Sequence, residues 1–255
     1  MLSPRLLLAA SALLLFPMSC LAGPVGAKEH SVMSATPKST PAVFTDPQIA
    51  PLAEAVAHGD VAAIRRLAGQ ADLSARGDQH VTLLEWAVWN QQPESLAALL
   101  DAGADPAQLG MDDETVVHMA AMVKDERYLR LLLDHHAPVD IVSPRAGWTP
   151  LFRAVESKRQ AQVDLLIAAG ANLRQVDAMG NSLLHQSAKS GASSALVLTL
   201  LERGVDPTLK NAQHASFQSY FFATPEPLLN AQGREARQQV QAWLSAHHIP
   251  LEASR

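Results

Sequence analysis

The chain has little cysteine and few aromatic residues. Cys20 is the one cysteine among 255 residues, and Phe, Trp and Tyr together make up 5% of the chain. A lone cysteine cannot form an intramolecular disulfide, which leaves packing to hold the fold and is compatible with an oxidising compartment. A serine nucleophile-elbow motif and a glycine-rich phosphate loop are also missing. We therefore expect no enzyme activity and no cofactor.

Long apolar runs are missing as well. The run Leu6–Phe16 has eleven residues, which is too short to span a bilayer. Arg5 precedes it and Pro17 follows it, an arrangement typical of an export signal. We expect a signal peptide over residues 1–22.

The fate of this signal remains open between three readings. Cleavage after Ala22 or after Ala27 fits a small-x-small site. Lipidation of Cys20 or retention as an uncleaved anchor are the alternatives, and membrane attachment is expected only in those two cases. Residues 23–47 are expected to form a flexible linker, since their Ser, Thr and Pro show no apolar period. No Asn-x-Ser/Thr site occurs, which favours a bacterial envelope over a eukaryotic secretory route. We expect a periplasmic location, and a membrane-anchored lipoprotein and a secreted protein are the alternatives.

Positive charge is not in excess either. The chain has 20 Lys and Arg against 25 Asp and Glu, for a formal net charge of -5. No basic stripe is visible along it. A nucleic-acid partner is therefore not expected.

The sequence does contain a pattern that recurs about every 33 residues. Its clearest copy is Asp-Ala-Met-Gly-Asn-Ser-Leu-Leu-His at residues 177–185. Its copies are followed by a run of the type Leu-Leu-x-x-Gly-Ala-Asp. The expected helix-capping position falls at Ala50, Thr82, Thr115, Thr149, Ser182 and Ala215. The copies lie at Val81–Glu85, Glu114–His118, Gly147–Phe152 and Asp177–His185, and the runs at Leu99–Asp105, Leu132–Ala137, Leu166–Asn172 and Leu200–Asp206.

Local signals predict two short helices in each copy. A hydroxyl such as that of Thr149 or Ser182 can cap the first helix, and Pro150 suits its first position. Gly170 can end the second helix in a left-handed conformation. Because two such helices cannot bury their apolar faces alone, stacked copies must bury them jointly. The prediction is an all-α solenoid of about six helix–turn–helix units over residues 48–255, with atypical end caps and a final helix over Arg234–His247.

This pattern resembles the ankyrin repeat, whose consensus is roughly D-x-x-G-x-T-P-L-H followed by L-L-x-x-G-A-D. The resemblance covers about residues 48–251. It implies a non-enzymatic scaffold that binds another protein, here an exported bacterial one, as an inhibitor, an immunity protein or a chaperone of an envelope or secreted enzyme. It also implies that His118 and His185 are buried and hydrogen-bond the repeat turn.

In that family, the turn tips and the exposed side of each first helix line a concave surface. Tryptophan dominates protein interfaces, so we expect Trp148→Ala and Trp89→Ala each to weaken partner binding with little loss of stability. Trp86 and Trp243 are expected to pack in the core. The residues at matching positions, predicted to contact the partner, are Trp89, Asn90, Met111, Asp112, Glu114, Met122, Arg145, Trp148, Glu156 and Lys189.

An alternative function is a histidine-dependent metal-binding or redox-accessory role. His135-His136 and His247-His248 are adjacent pairs at equivalent places in their copies. Zinc needs three or four converging ligands, and pairs about three repeats apart should not converge. We expect no metal site, and we interpret the pairs as helix-end residues that favour the helix dipole.

Overall fold

The structure is a computed structural model that describes residues 43–252. Within that range twelve α-helices and three short 3-10 turns follow one another, without a named strand. The expected signal peptide, its cleavage sites, Cys20 and most of the linker lie outside the described residues. The helices are α1 Ala50–His58, α2 Val61–Ala68, α3 Leu83–Trp89, α4 Pro93–Asp101, α5 Val116–Met122, α6 Arg127–Asp134, α7 Pro150–Glu156, α8 Gln160–Ala168, α9 Leu183–Ser190, α10 Ser194–Glu202, α11 Phe217–Phe221 and α12 Ala231–Ala246.

In chain order the helices form six repeats, from α1 and α2 (repeat 1) to α11 and α12 (repeat 6), and within repeats 1 to 5 the two helices pack on each other. Each first helix from α1 to α9 also packs on the first helix of the next repeat. Among the second helices, α2, α4, α6 and α8 pack on one another in turn, and α12 packs on α10. The result is a two-layer solenoid, which confirms the predicted fold class.

The start of each first helix is set by the residue before it. These capping residues are Ile49, Thr82, Thr115, Thr149, Ser182 and Ser216, so the positions expected at Ala50 and Ala215 are each wrong by one residue. The expected cap by the Thr149 hydroxyl is also wrong, because that oxygen has no hydrogen-bond partner. Pro150 at the first helical position explains why the helix begins there, since its φ is already helical.

A continuous apolar core lies between the two helix layers. Leucines of both layers are fully buried from repeat to repeat, among them Leu83, Leu99, Leu132 and Leu166. Alanines such as Ala87 and Ala120 let neighbouring first helices approach closely. No helix among the described residues is long and apolar enough to cross a membrane.

A tight turn, here named the tip, precedes each first helix from repeat 2 onward. Each tip is closed by one backbone hydrogen bond. The donors and acceptors are Gly77 to Val81, Gly110 to Glu114, Ser143 to Trp148, Asp177 to Asn181 and Asn211 to Ala215, at 2.6–3.0 Å. The tips of repeats 2, 3, 5 and 6 therefore repeat one geometry on one side of the stack, and the tip of repeat 4 contains one additional residue.

The two ends of the described range are atypical. Repeat 1 has no tip, and Val43 accepts a hydrogen bond from the Asp78 amide at 2.8 Å in its place. At the other end, α12 has 16 residues and begins three residues before the expected Arg234. It buries Val240 and Leu244, while Trp243 packs partly buried against the core. Both ends thus close the core, as terminal repeats must.

Candidate functional site

The first helices of repeats 2 to 5 present two positions on the face away from the second helices, four and seven residues after the capping residue, and the shorter α11 presents the first of them. Residues three apart share one face of a helix. Because the first helices pack side by side, these positions form two rows along the stack, here named the inner rows. The first row is Trp86, Met119, Arg153, Gln186 and Tyr220, and the second is Trp89, Met122, Glu156 and Lys189.

The inner rows change character along the stack. Repeats 2 and 3 supply only large apolar side chains, from Trp86 to Met122. Repeats 4 and 5 supply charged or amide side chains instead, beginning at Arg153. The surface therefore has an apolar half and a polar half.

Trp89 is the most exposed tryptophan of the apolar half. Its side chain is 44% exposed, and its ring forms no hydrogen bond, stack or cation–π contact with the described residues. Its neighbour Trp86 is fixed, since the indole nitrogen donates to the Ala53 carbonyl at 3.0 Å and the ring lies edge-on to Phe44. Asn90 is used internally, because its amide donates to the Trp86 carbonyl at 2.8 Å. Of these, Trp89 has the side chain available to a partner.

The tip of repeat 3 exposes two carboxylates. Asp112 and Asp113 are exposed and have φ angles of 55° and 58°, in the left-handed region. Neither forms an ion pair with the described residues. Met111, before them, is half-buried against the core, and Arg145 is exposed at the next tip. The predicted tip residues thus reach the surface, with Met111 partly withdrawn.

Glu114, Trp148 and Arg153 form a packed cluster between repeats 3 and 4. The Arg153 guanidinium donates to both Glu114 oxygens at 2.9 Å and to Glu156 at 2.8 Å. It also lies 4.5 Å from the centre of the Trp148 ring, whose other neighbour is Phe152 at 6.3 Å. Glu114 is 8% exposed. Its carboxylate is paired with Arg153 and has little surface that a partner could contact.

The cluster changes what Trp148 is expected to do. Burial alone lowers the pKa of Arg153, but the hydrogen bonds and charge of Glu114 outweigh it and raise the pKa. The guanidinium under Trp148 is therefore permanently charged. Trp148 is half-buried on it, and its replacement should cost stability, in contrast to the sequence expectation.

The remaining predicted residues lie in the second inner row. Met122 is half-buried at the end of α5, Glu156 is half-buried on Arg153, and Lys189 is exposed with its ammonium 5.9 Å from the Tyr220 ring centre. The ten predicted residues extend over four repeats on one side of the molecule. Their role in binding stays a prediction.

Glu85 is a buried group that sequence reasoning missed. It occupies the position that holds His118 and His185 in repeats 3 and 5, and it is 1% exposed. One of its oxygens accepts from the amide and hydroxyl of Thr82 at 2.8 and 3.0 Å, and the other accepts from the Met111 amide at 3.2 Å. Burial raises its pKa to about 7 against these hydrogen bonds. Glu85 thus ties repeat 2 to the tip of repeat 3.

His118 and His185 are buried and bond the next repeat, as the resemblance implied. The Ser182 amide lies 3.2 Å from Nδ1 of His185, and Nε2 lies 2.9 Å from the Ala215 carbonyl. An amide can only donate, so the proton is on Nε2. His118 makes the same contacts with the Thr115 amide and the Trp148 carbonyl. Burial lowers the pKa of both rings, which keeps them neutral.

Sequence reasoning left out Met119 and Tyr220 from the surface. Met119 stands three residues before Met122, so helical spacing from a residue already chosen was the signal that could have found it. Tyr220 lies in the repeat with the weakest pattern, and only the observed start of α11 places it in the inner row.

The histidine pairs do not build a metal site within the described residues. His135 lies 3.1 Å from an Asp101 oxygen, and this contact raises the pKa of its ring. No three His, Cys, Asp or Glu side chains in the described range come together as metal ligands. The alternative metal-binding reading therefore finds no geometric support there.

Comparison with known proteins points to one kind of repeat. The family model described as Ankyrin repeats (3 copies) matches residues 117–211. Protein PhlB of Serratia liquefaciens is 49% identical over 138 residues, which cover 54% of this chain and 61% of that protein. The B-cell lymphoma 3 protein homolog of Mus musculus is 32% identical over 142 residues, 54% of this chain and 32% of that protein. The match thus spans less than two thirds of either relative.

Two solved structures share the fold. The ankyrin repeat protein EF0377 superimposes with a TM-score of 0.64 at 20% identity, covering 77% of this chain and 97% of its own. An ankyrin repeat domain from Acinetobacter baumannii AYE gives a TM-score of 0.65 at 25% identity over the same shares. Both agree with the stacked helix pairs described above.

Proposed function

This chain carries ankyrin repeats, and from that premise we propose that it acts by binding another protein through the inner rows and tips. Ankyrin-repeat proteins are generally non-enzymatic scaffolds for protein interaction. The observation that carries the proposal is the exposed indole of Trp89 in the inner rows of repeat 2. A large aromatic ring that is nearly half exposed and has no hydrogen bond, stack or cation–π contact with the described residues is typical of an interface residue.

The polar half of the surface supports the same proposal. Glu156 and Lys189 follow Trp89 and Met122 in the second row, so one partner can meet apolar and charged groups side by side. Interfaces combine an apolar centre with a polar rim in this way. Because the repeats are preformed, binding requires little reorganisation of this chain.

We place this binding in the bacterial cell envelope. The apolar run Leu6–Phe16 behind Arg5 supports export, and the likeness to a bacterial relative supports a bacterial setting. The partner is proposed to be an envelope or secreted enzyme, and the chain its inhibitor, immunity protein or chaperone. These three roles share stoichiometric binding and differ in what happens to the partner's activity.

A capture experiment tests the proposal. Purified chain is cross-linked in an envelope extract, the captured protein is identified and purified, and its affinity is measured by calorimetry against wild type, Trp89→Ala and Lys189→Glu. We expect one-to-one binding that both substitutions weaken. The matched control is Leu228→Ser, at a 75% exposed side chain in repeat 6, which should bind as wild type. A partner that ignores the inner-row variants and loses affinity with the control would contradict the proposal.

A further inference from the structure

Charge is distributed unevenly along the solenoid. Residues 77–123, here named the acidic segment, include all of α3, α4 and α5. They hold eight Asp and Glu and neither Lys nor Arg. The rest of the chain holds the other 17 acidic residues and all 20 basic ones. The modest overall charge of -5 therefore conceals a strongly acidic pair of repeats next to repeats with a small positive excess.

Part of this acidity is neutralised by the neighbouring repeats. Arg153 pairs with Glu114 at 2.8 Å and His135 meets Asp101 at 3.1 Å. The tip carboxylates of Asp78, Asp112 and Asp113 are exposed and pair with none of the described residues. On the first-helix side of these repeats, the negative charge available to a partner thus lies at the tips of repeats 2 and 3. Glu94 and Asp105 are also exposed without an ion pair to the described residues, but they lie on and just after the second helix α4.

The same two repeats hold the apolar half of the inner rows. Trp86, Trp89, Met119 and Met122 lie on α3 and α5, which pack on each other. A helix rises about 1.5 Å per residue, so the row positions lie roughly 6 and 10 Å along each helix from its tip. Methionine adapts its shape to different partners. An apolar strip thus runs directly away from an acidic tip.

We infer that the first-helix face of repeats 2 and 3 binds an amphipathic segment of the partner, with apolar side chains on Trp89 and Met122 and with Lys or Arg at Asp112 and Asp113. This rests on the proposed function and names the chemistry of the partner. A segment of about ten helical residues spans roughly 15 Å, enough to reach the strip and the tip together. The charged contacts speed association and fix its direction.

His80 and Arg145 are the histidine and the basic residue at the two neighbouring tips, one on either side of the tip of repeat 3. Neither pairs with Asp112 or Asp113. Because of them, a basic segment meets less negative charge at the neighbouring tips. The tip of repeat 3 is therefore the tip that attracts such a segment most strongly.

The test uses two synthetic peptides as probes of the full chain. Both are amphipathic helices of about 18 residues, one built of Leu and Lys and the other of Leu and Glu in the same order. Fluorescence anisotropy of labelled peptide gives the affinity at low and at physiological salt. We expect the Leu–Lys peptide to bind and the Leu–Glu peptide not to bind. Trp89→Ala should weaken binding about tenfold or more, and Asp112→Asn with Asp113→Asn should weaken it similarly and reduce its salt dependence.

A matched double variant distinguishes a specific binding site from general electrostatic attraction to the acidic segment. Glu94→Gln with Asp101→Asn removes two charges from α4 of the same acidic segment, on the second-helix layer. Its binding should stay within about twofold of wild type. Equal loss in both double variants would overturn the inference, as would equal binding of the Leu–Glu peptide. Self-association of the chain that Trp89→Ala abolishes would also overturn it by assigning the face to a second copy.

The captured partner distinguishes failure here from failure of the proposed function. If substitution of Lys189 weakens binding of the partner but substitution of Trp89, Asp112 and Asp113 does not, the proposed scaffold function is supported and this inference fails. If no inner-row variant affects the partner, both fail.

Discussion

Single residues at the repeat junctions differ in how they respond to pH. Glu85, His118 and His185 fill one structural position and all are buried. Burial favours the neutral form in each case, so it raises the pKa of Glu85 to about 7 and lowers the pKa of both histidines. Stability linked to Glu85 is full below pH 4.5 and is lost as pH rises to about 7. Stability linked to the histidines is present above about pH 6.5 and is lost on acidification.

Glu85→Gln should isolate the contribution of the Glu85 carboxyl to the pH dependence of stability. Gln keeps an acceptor for the Thr82 amide and cannot ionise, while both histidines are common to variant and wild type. The free energy of unfolding of the variant relative to wild type should therefore increase from pH 5 to pH 8, by on the order of 1–3 kcal/mol. Urea unfolding at several pH values measures it. Parallel stability profiles for the two proteins would show that Glu85 keeps an ordinary pKa.

Trp89 and Trp148 should differ in what their loss costs. Trp148→Ala removes the ring between Phe152 and Arg153 and should reduce the free energy of unfolding by about 2 kcal/mol or more. Trp89→Ala removes an exposed ring and should cost less than about 1 kcal/mol. Thermal and urea unfolding of the two variants side by side measure the difference. Equal losses would mean that Trp89 is held by packing.

At the scale of elements, the tips and caps decide where helices begin. The register of Thr82, Thr115, Thr149 and Ser182 could be predicted from the sequence, because a hydroxyl residue and the apolar spacing agree at all four and Pro150 adds a further signal after Thr149. The first and last caps could not, since Ile49 carries no capping group and Ser216 follows the alanine that matched the repeat length. The start of α12 was missed because Asn230, which caps it by accepting from the Gly233 amide at 2.7 Å, stands outside the repeat pattern.

Gly147→Ala tests the geometry of a tip. Gly147 has a φ of +69°, and a Cβ there would lie 2.7 Å from the Ala178 nitrogen, which itself donates to Ala146. We expect a loss of about 1–3 kcal/mol in the free energy of unfolding, from strain and from the displaced tip of repeat 5. Gly69→Ala is the control, since Gly69 has a helical φ of -69° and open space around its Cα.

The control should be neutral or stabilising by about 0.4–1 kcal/mol, because alanine restricts the unfolded chain. Chemical denaturation of both variants provides the comparison. A Gly147→Ala protein as stable as the Gly69→Ala protein would show that the tips tolerate side chains and are not built as described.

At the scale of the molecule, stacking of the repeats makes the core continuous. It leaves the residue types in the inner rows free to differ from repeat to repeat. The fold could be predicted because the same pattern of apolar residues recurs in each repeat. The site could be predicted only as a list of matching positions. Whether Glu114 or Trp148 is available to a partner depends on Arg153, a residue 39 positions from Glu114, and no local pattern contains that contact. The division into an apolar acidic part and a polar part depends on the register of the observed caps, which sets the residues of each row.

Hydrogen exchange of the chain, alone and bound to its captured partner, is the sharpest test of whether the inner rows and tips are the binding surface. Mass spectrometry resolves the amides of α3, α5 and the tips at 77–81 and 110–114 from those of the second helices. We expect slower exchange on binding in these first-helix and tip segments, with α4 and α6 unchanged. Protection confined to α4 and α6, or to α12 in the terminal cap, would contradict it.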